Sequence, residues 1–357
     1  MLNVTKTFLP SLSEYSQYLE RIWANGQVTN EGPFVKELEN ELVKFTGVKN
    51  VIYVSNGTIA LQLLIKALKI KDKVITTPFS YCATTNSLIW EGCEPIFADI
   101  NPISLTCELN TISDVMTDDI NAILTTHVYG NAEGLELVEE HCKQRNIPLI
   151  FDGAHCFGVN YKGKSIFNYG TASTCSFHAT KIFHTIEGGA IFTNDDLLAD
   201  KLRLLKSFGH KGDDYFLAGI NGKTSEFHAI MGLINLKHFQ EIKNHRKISS
   251  ELYDELLNSN KKITIFKWGK YIEKNYSYYP IILPSEEILN TLVAELQKQN
   301  IFPRRYFYPS LNTLPFLEKQ PCIQSENIAN RILCLPLSAE ILKEEIIQVC
   351  NIINQVI

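Results

Sequence analysis

The sequence predicts an α/β fold: a mostly parallel central sheet covered by helices, followed by a smaller C-terminal α+β domain. From residue 36 to about 235, short apolar runs alternate with stretches of helical periodicity, the order expected of strands and crossover helices. The runs are apolar at nearly every position, as in strands buried on both faces. After Leu233 a single long helical pattern leads away from this alternation.

Residues 51–54 read as the first strand of the series, and Asn56-Gly-Thr58 as the turn into a helix that carries Ile59, Leu61, Leu63, Leu64 and Leu68. Residues 74–77 are a second strand, stopped by Pro78. Runs at 96–98, 122–125, 149–151 and 174–177 continue the sheet, with helices near 134–145 and 195–207. The pattern from Ile234 through Leu257 is the helix that leaves the first domain. The remainder reads as strands at 263–266 and 278–283 with helices near 286–298 and 340–356. The expected domains are 1–235 and 236–357, and the absence of a flexible linker between them predicts a shared interface.

Composition narrows the function classes. The 357 residues are 45% hydrophobic and 20% charged with a formal net charge of -5, an ordinary globular balance without the basic excess of a nucleic-acid binder. The N-terminus lacks the pattern of a secretory signal and no apolar run is long enough for a membrane span, so a cytoplasmic setting is expected. Nine cysteines, an odd number without a Cys-x-x-Cys pair, read as scattered thiols. His141 beside Glu139 and Glu140 reads as a solvated helix face, and no metal site is expected.

Chemistry concentrates in Cys175-Ser-Phe-His-Ala-Thr-Lys-Ile-Phe-His-Thr-Ile-Glu-Gly-Gly189, where Lys181 follows a strand and precedes a Gly-Gly turn. Asp152 closes the apolar strand of Leu149-Ile-Phe-Asp152, at the end of the sheet where open α/β folds bind ligands. The turn Ser55-Asn-Gly-Thr58 offers free N–H groups and a hydroxyl at a helix N-terminus, which suits a phosphate. Phosphate, acid and lysine together point to pyridoxal 5'-phosphate. The lysine forms a Schiff base with its aldehyde, an aspartate keeps the pyridine nitrogen protonated, and the ring serves as an electron sink.

Taken with these residues, the chain from about Asn25 to its C-terminus resembles the DegT/DnrJ/StrS sugar aminotransferases, of the aspartate aminotransferase fold (fold type I). The motifs are Val28-Thr-Asn-Glu-Gly-Pro33, Ser55-Asn-Gly-Thr-Ile-Ala-Leu61, Thr77-Pro-Phe-Ser-Tyr-Cys-Ala-Thr84, His127-Val-Tyr-Gly130, Asp152-Gly-Ala-His155, Ser176-Phe-His-Ala-Thr-Lys181, Glu187-Gly-Gly189 and Gly219-Ile-Asn221. The resemblance implies that Lys181 binds the cofactor and Asp152 its ring nitrogen, and that His155 approaches the phenolic oxygen. It implies phosphate contacts from Gly57, Thr58 and Ser176, and ring stacking by Tyr81. Asn221 would reach the phosphate of a partner subunit, which makes the active unit a homodimer with shared sites. Lys223 stands where relatives often carry Arg, and supplies charge without a bidentate fork. Arg305 either grips the nucleotide diphosphate or packs between the domains. Of the two histidines flanking Lys181, either reads as a satisfied buried residue, and only His178 is expected to face the pocket.

The implied reaction moves an amino group from L-glutamate to a nucleotide-linked keto sugar, with pyridoxamine 5'-phosphate as the intermediate cofactor form. Resemblance favours C4 of dTDP-4-keto-6-deoxyglucose, with C3 amination of a 3-keto sugar as the alternative. Lys181 argues against relatives that carry histidine there and dehydrate their sugars. Intact Lys181, Asp152 and His155 argue against a noncatalytic PLP-binding sensor or assembly protein.

Overall fold

The computed structural model describes residues 1–357. The six sequence-predicted strands assemble as β1 (Asn50–Val54), β2 (Asp72–Thr76), β3 (Cys93–Phe97), β4 (Ile120–Thr126), β5 (Leu149–Asp152) and β6 (Ala172–Ser176), and the apolar run after the Gly-Gly turn adds a seventh, β7 (Gly189–Thr193). Their order in one sheet is β1-β7-β6-β5-β4-β2-β3. Strands β2 to β6 pair in parallel, and β7 runs antiparallel to both β6 and β1. The C-terminal ends of β1 to β6 therefore share one edge.

Side chains alternate across a strand, and both faces are buried. Val51, Tyr53, Ile75, Ile123, Phe151 and Phe192 enter one core, beneath helices Pro33–Thr46, Leu135–Arg145 and the first part of Glu226–Leu257. Ile52, Val54, Val74, Leu124, Ile150 and Ile191 enter the other, beneath Gly57–Ala67 and Asp196–Leu205.

A second sheet, β8 (Thr264–Ile265), β9 (Tyr279–Ile282) and β10 (Ile332–Leu335), is antiparallel in that order and packs with helices Glu286–Lys298 and Lys343–Val356. The 32-residue helix Glu226–Leu257 serves both cores: Ile230, Leu233 and Phe239 pack against the large sheet, Tyr253 and Leu257 against the small one. The boundary expected at 235/236 thus falls inside an unbroken helix. No helix is long and apolar enough to cross a membrane.

Two of the elements that the sequence reading does not name have a local reason for it. Helix Leu12–Asn25 buries only Ile22, so its apolar face is thin. Helix Cys82–Trp90 has nine residues and is rich in Thr, Ser and Asn, which are weak helix formers.

The 28–33 and 225–229 segments meet each other. Fully buried Glu226 accepts from the N–H groups of Phe34 (2.7 Å) and Val35 (3.1 Å), capping helix Pro33–Thr46 with a charge at its positive end. Gly32 is required beside it, because a Cβ there would lie 2.6 Å from the Glu226 carboxyl carbon.

Candidate active site

Pairing across β4, β5 and β6 sets Thr126, Asp152 and Thr174 side by side at the shared edge. All three line a cavity of about 380 Å³. Into the same cavity come Asn56, Gly57 and Thr58 from the turn after β1, Ser80 and Tyr81 after β2, His155 after β5, and Ser176, His178 and Lys181 after β6. Arg304, Tyr306 and Phe307 reach it from the C-terminal half.

At its floor Asp152 is buried, with Oδ2 accepting from Thr84 Oγ1 at 2.7 Å and Oδ1 from the Ala154 N–H at 3.0 Å. Burial raises its pKa, while Thr84, the Ala154 N–H and the nearby Lys181 charge pull it down. A cationic partner in the cavity would favour the ionised form. Thr84 is itself held by Ser80 Oγ at 2.7 Å, which also meets Thr126 Oγ1 at 2.9 Å.

Lys181 stands on the compact loop between β6 and β7, tied by its N–H to the His178 carbonyl (2.9 Å) and by the Phe177 N–H to Gly188 (2.8 Å). Burial holds its amine below the ordinary lysine range, against the raising effects of Tyr306 and Asp152. His155 is buried with its pKa well below the usual value, first from burial and then from Lys181, so the ring is neutral. Its Nδ1 accepts from the Tyr129 N–H at 3.2 Å, which leaves Nε2 as the protonated donor. Tyr129 presents that N–H from a left-handed backbone (φ 52°) in the 127–130 turn.

The turn after β1 is a built anion cradle. Asn56 caps helix Gly57–Ala67 by accepting from the Ile59 N–H at 2.8 Å, leaving the first N–H groups directed into the cavity. A Cβ on Gly57 would lie 3.1 Å from Ser176 Cβ, and one on Gly189 would lie 2.5 Å from the Asn56 carbonyl carbon. The Glu187-Gly-Gly189 segment therefore allows β7 to press against the phosphate turn.

Most sequence-predicted site residues converge: Lys181, Asp152, His155, Gly57, Thr58, Tyr81, Ser176 and His178 all line the cavity. His178 sits at the rim, its Nε2 3.5 Å from Glu187. His184 turns away and bonds the Phe8 carbonyl at 2.7 Å. Asn221 and Lys223 lie outside the cavity of their own chain; Asn221 bridges to Ser207, and Lys223 Nζ sits 4.7 Å from the Phe208 ring centre.

Arg305 requires a correction. It pairs with Glu286 at 2.8 Å and lies over the Tyr308 ring, whereas its neighbour Arg304 lines the cavity. Arg304 is bridged to Cys334 of β10, and alternation from that pairing sends Arg304 and Tyr306 to one side and Arg305 to the other. That alternation was the available signal. Thr84 and Ser80 were also missed; their spacing of four at a helix start would have put them on one face.

The donor set fits pyridoxal phosphate: a buried carboxylate, an amine with lowered pKa, a neutral imidazole N–H, and a helix N-terminus whose glycine keeps the cradle open. A model of the DegT/DnrJ/EryC1/StrS aminotransferase family matches residues 12–354. The chain is 37% identical to a dTDP-4-amino-4,6-dideoxy-D-glucose transaminase from Shigella dysenteriae, over 99% of this chain and 98% of that one. It is 35% identical to one of the same name from Escherichia coli, over 98% and 97%. Among solved structures, DesI in the presence of its TDP-sugar product superposes with a TM-score of 0.94 at 27% identity, covering 99% of this chain and 92% of that one. With fold, cavity and sequence in agreement, the chain belongs to the DegT/DnrJ/EryC1/StrS family and is a pyridoxal-phosphate-dependent sugar aminotransferase.

Proposed function

We propose that this enzyme transfers the amino group of L-glutamate to C4 of dTDP-4-keto-6-deoxyglucose, giving a dTDP-4-amino-4,6-dideoxyhexose. The observation that carries the chemistry is the meeting of Lys181, Asp152 and the Gly57 helix start in one cavity. Support for the position of amination comes from the two curated relatives, both named for a 4-amino sugar.

When bound, the cofactor supplies an electron sink that eases removal of a proton from the amino donor. Asp152 would keep its ring nitrogen protonated and the His155 Nε2–H would donate to its phenolic oxygen. The Gly57 N–H, Thr58 and Ser176 would hold its phosphate. Lys181, neutral more readily than an exposed lysine, takes the proton from the α-carbon of L-glutamate at Nζ and returns one in the second half-reaction. Arg304 at the cavity wall is the cation for the sugar's diphosphate, and His178 with Glu187 faces the hexose.

The proposed active unit is a homodimer in which Asn221 and Lys223 serve the partner's cavity. Tyr215 and Phe216, 77% and 63% exposed near these residues, are the kind of apolar surface that a second copy covers.

The test incubates purified enzyme with pyridoxal phosphate, L-glutamate and dTDP-4-keto-6-deoxyglucose, with and without a 3,4-ketoisomerase, and locates the new amine by NMR. An amine at C4 without the isomerase is expected; an amine only at C3 after isomerisation would overturn the assignment of position. Lys181→Ala is expected to abolish turnover in the same assay, and Asp152→Asn to slow it by orders of magnitude.

A further inference from the structure

The Lys181 side chain is hydrogen-bonded to the C-terminal domain: Lys181 Nζ to Tyr278 Oη, at 3.4 Å. Neither atom has another hydrogen-bond partner. Tyr278 is buried, and its ring is wedged against His155 (centroids 4.8 Å, 65°), Tyr129 (5.6 Å) and Tyr306 (5.3 Å), so the direction of its hydroxyl is set by packing.

The backbone that delivers Tyr278 is clamped to the cofactor loop. Buried Asn275 donates through Nδ2 to the carbonyls of His155 and Phe157, both at 2.8 Å, and accepts from the Ser277 N–H at 3.1 Å. Arg246 Nη1 donates to the Ser277 carbonyl at 3.0 Å. Tyr278 and His155 are thereby held to a common frame.

We propose that the Tyr278 hydroxyl docks the Lys181 amine whenever that amine is not bound to the cofactor, making Tyr278 a positioning residue for the proton shuttle. The proposal rests on the reading of Lys181 as the cofactor-binding lysine. A released lysine arm has several rotamers to explore and must nonetheless face the reacting carbon. A phenolic hydroxyl suits the task because it donates to a neutral amine and accepts from an ammonium, so one partner serves both halves of the shuttle. The other groups that act on Lys181 electrostatically, Tyr306, Asp152, Cys175 and Tyr81, are not hydrogen-bonded to it, and Arg246, Arg304 and Cys334 face Tyr278.

Because a hydrogen bond to a charged donor is the stronger kind, the hydroxyl favours the ammonium over the amine. In the full-length cofactor-free protein, the rate at which dinitrofluorobenzene labels Lys181, followed by mass spectrometry across pH, reports the amine's protonation midpoint. Tyr278→Phe keeps the ring and removes the hydroxyl; it is expected to lower that midpoint by about half a unit or more. In the holoenzyme, the same variant is expected to slow the L-glutamate half-reaction about 10- to 100-fold, with the apparent affinity for L-glutamate unchanged. An unmoved midpoint and an unchanged half-reaction rate would overturn the proposal. Borohydride reduction of the wild-type holoenzyme separates the two readings: cofactor trapped on a lysine other than Lys181 overturns both, whereas cofactor on Lys181 with a silent Tyr278→Phe overturns only the docking role. Should Tyr278→Phe fail to fold by circular dichroism, Tyr278→Met, apolar and flexible enough to fill the site, carries the same comparison.

Discussion

Thr84 Oγ1 donates to Asp152 Oδ2 at 2.7 Å, which links the start of helix Cys82–Trp90 to the end of β5 and holds the carboxylate at the cavity floor. The bond favours the ionised acid in a place where burial opposes it. Between the unfolded value of about 3.9 and the raised folded value, the folded protein holds the extra proton, so this group's contribution to stability falls as pH rises through that window. Thr84→Val widens the window by pushing the carboxyl higher. The cofactor-free variant should therefore lose about 1.5–3 kcal/mol at pH 8 and much less at pH 4. Urea melts at the two pH values check this, and an equal loss at both would leave Thr84 only a packing role.

Gly57→Ala places a methyl group 3.1 Å from Ser176 Cβ in the phosphate cradle. Alanine is the better helix former, so the cofactor-free protein should keep its stability or gain up to about 1 kcal/mol. Cofactor affinity should fall about 10-fold or more as the methyl crowds the N–H groups. Fluorescence titration with pyridoxal phosphate measures it; undiminished affinity would remove Gly57 from the phosphate site.

The neighbouring arginines separate cleanly. Arg304→Ala is expected to raise KM for the nucleotide sugar about 10- to 100-fold with little change in Tm, because a cation facing a diphosphate is lost. Arg305→Ala should leave KM alone and cost about 1–2 kcal/mol through the lost Glu286 pair and Tyr308 packing. Steady-state kinetics and thermal melts on both variants decide it, and the reverse pattern would restore Arg305 to the substrate.

Glu226→Ala strands the N–H groups of Phe34 and Val35 at a buried helix start, at an expected loss of about 2–3 kcal/mol. Gly32→Ala should be destabilising as well, since its Cβ would collide with the Glu226 carboxyl. Urea unfolding of both variants tests the pairing, and a neutral Gly32→Ala would contradict the close approach.

Local pattern alone was enough to read Asp152, Lys181 and the 55–58 turn, because each lies at the end of an apolar strand and strand ends in a parallel sheet gather at one edge. The same pattern located six of the seven strands of the large sheet, all but Gly189–Thr193, since burial on both faces writes itself as unbroken apolar runs. The partners of those residues were a different matter. Thr84 reaches Asp152 across 68 positions, Tyr278 reaches Lys181 across 97, and Glu226 caps a helix 192 positions before it. Arg304 and Arg305 differ only in which side of a bridge to Cys334 they occupy. Sequence spacing carries the period of a strand or helix and so determines which residues can share a face; which face meets which neighbour is decided by the register and packing of distant segments, and only the tertiary structure holds that information.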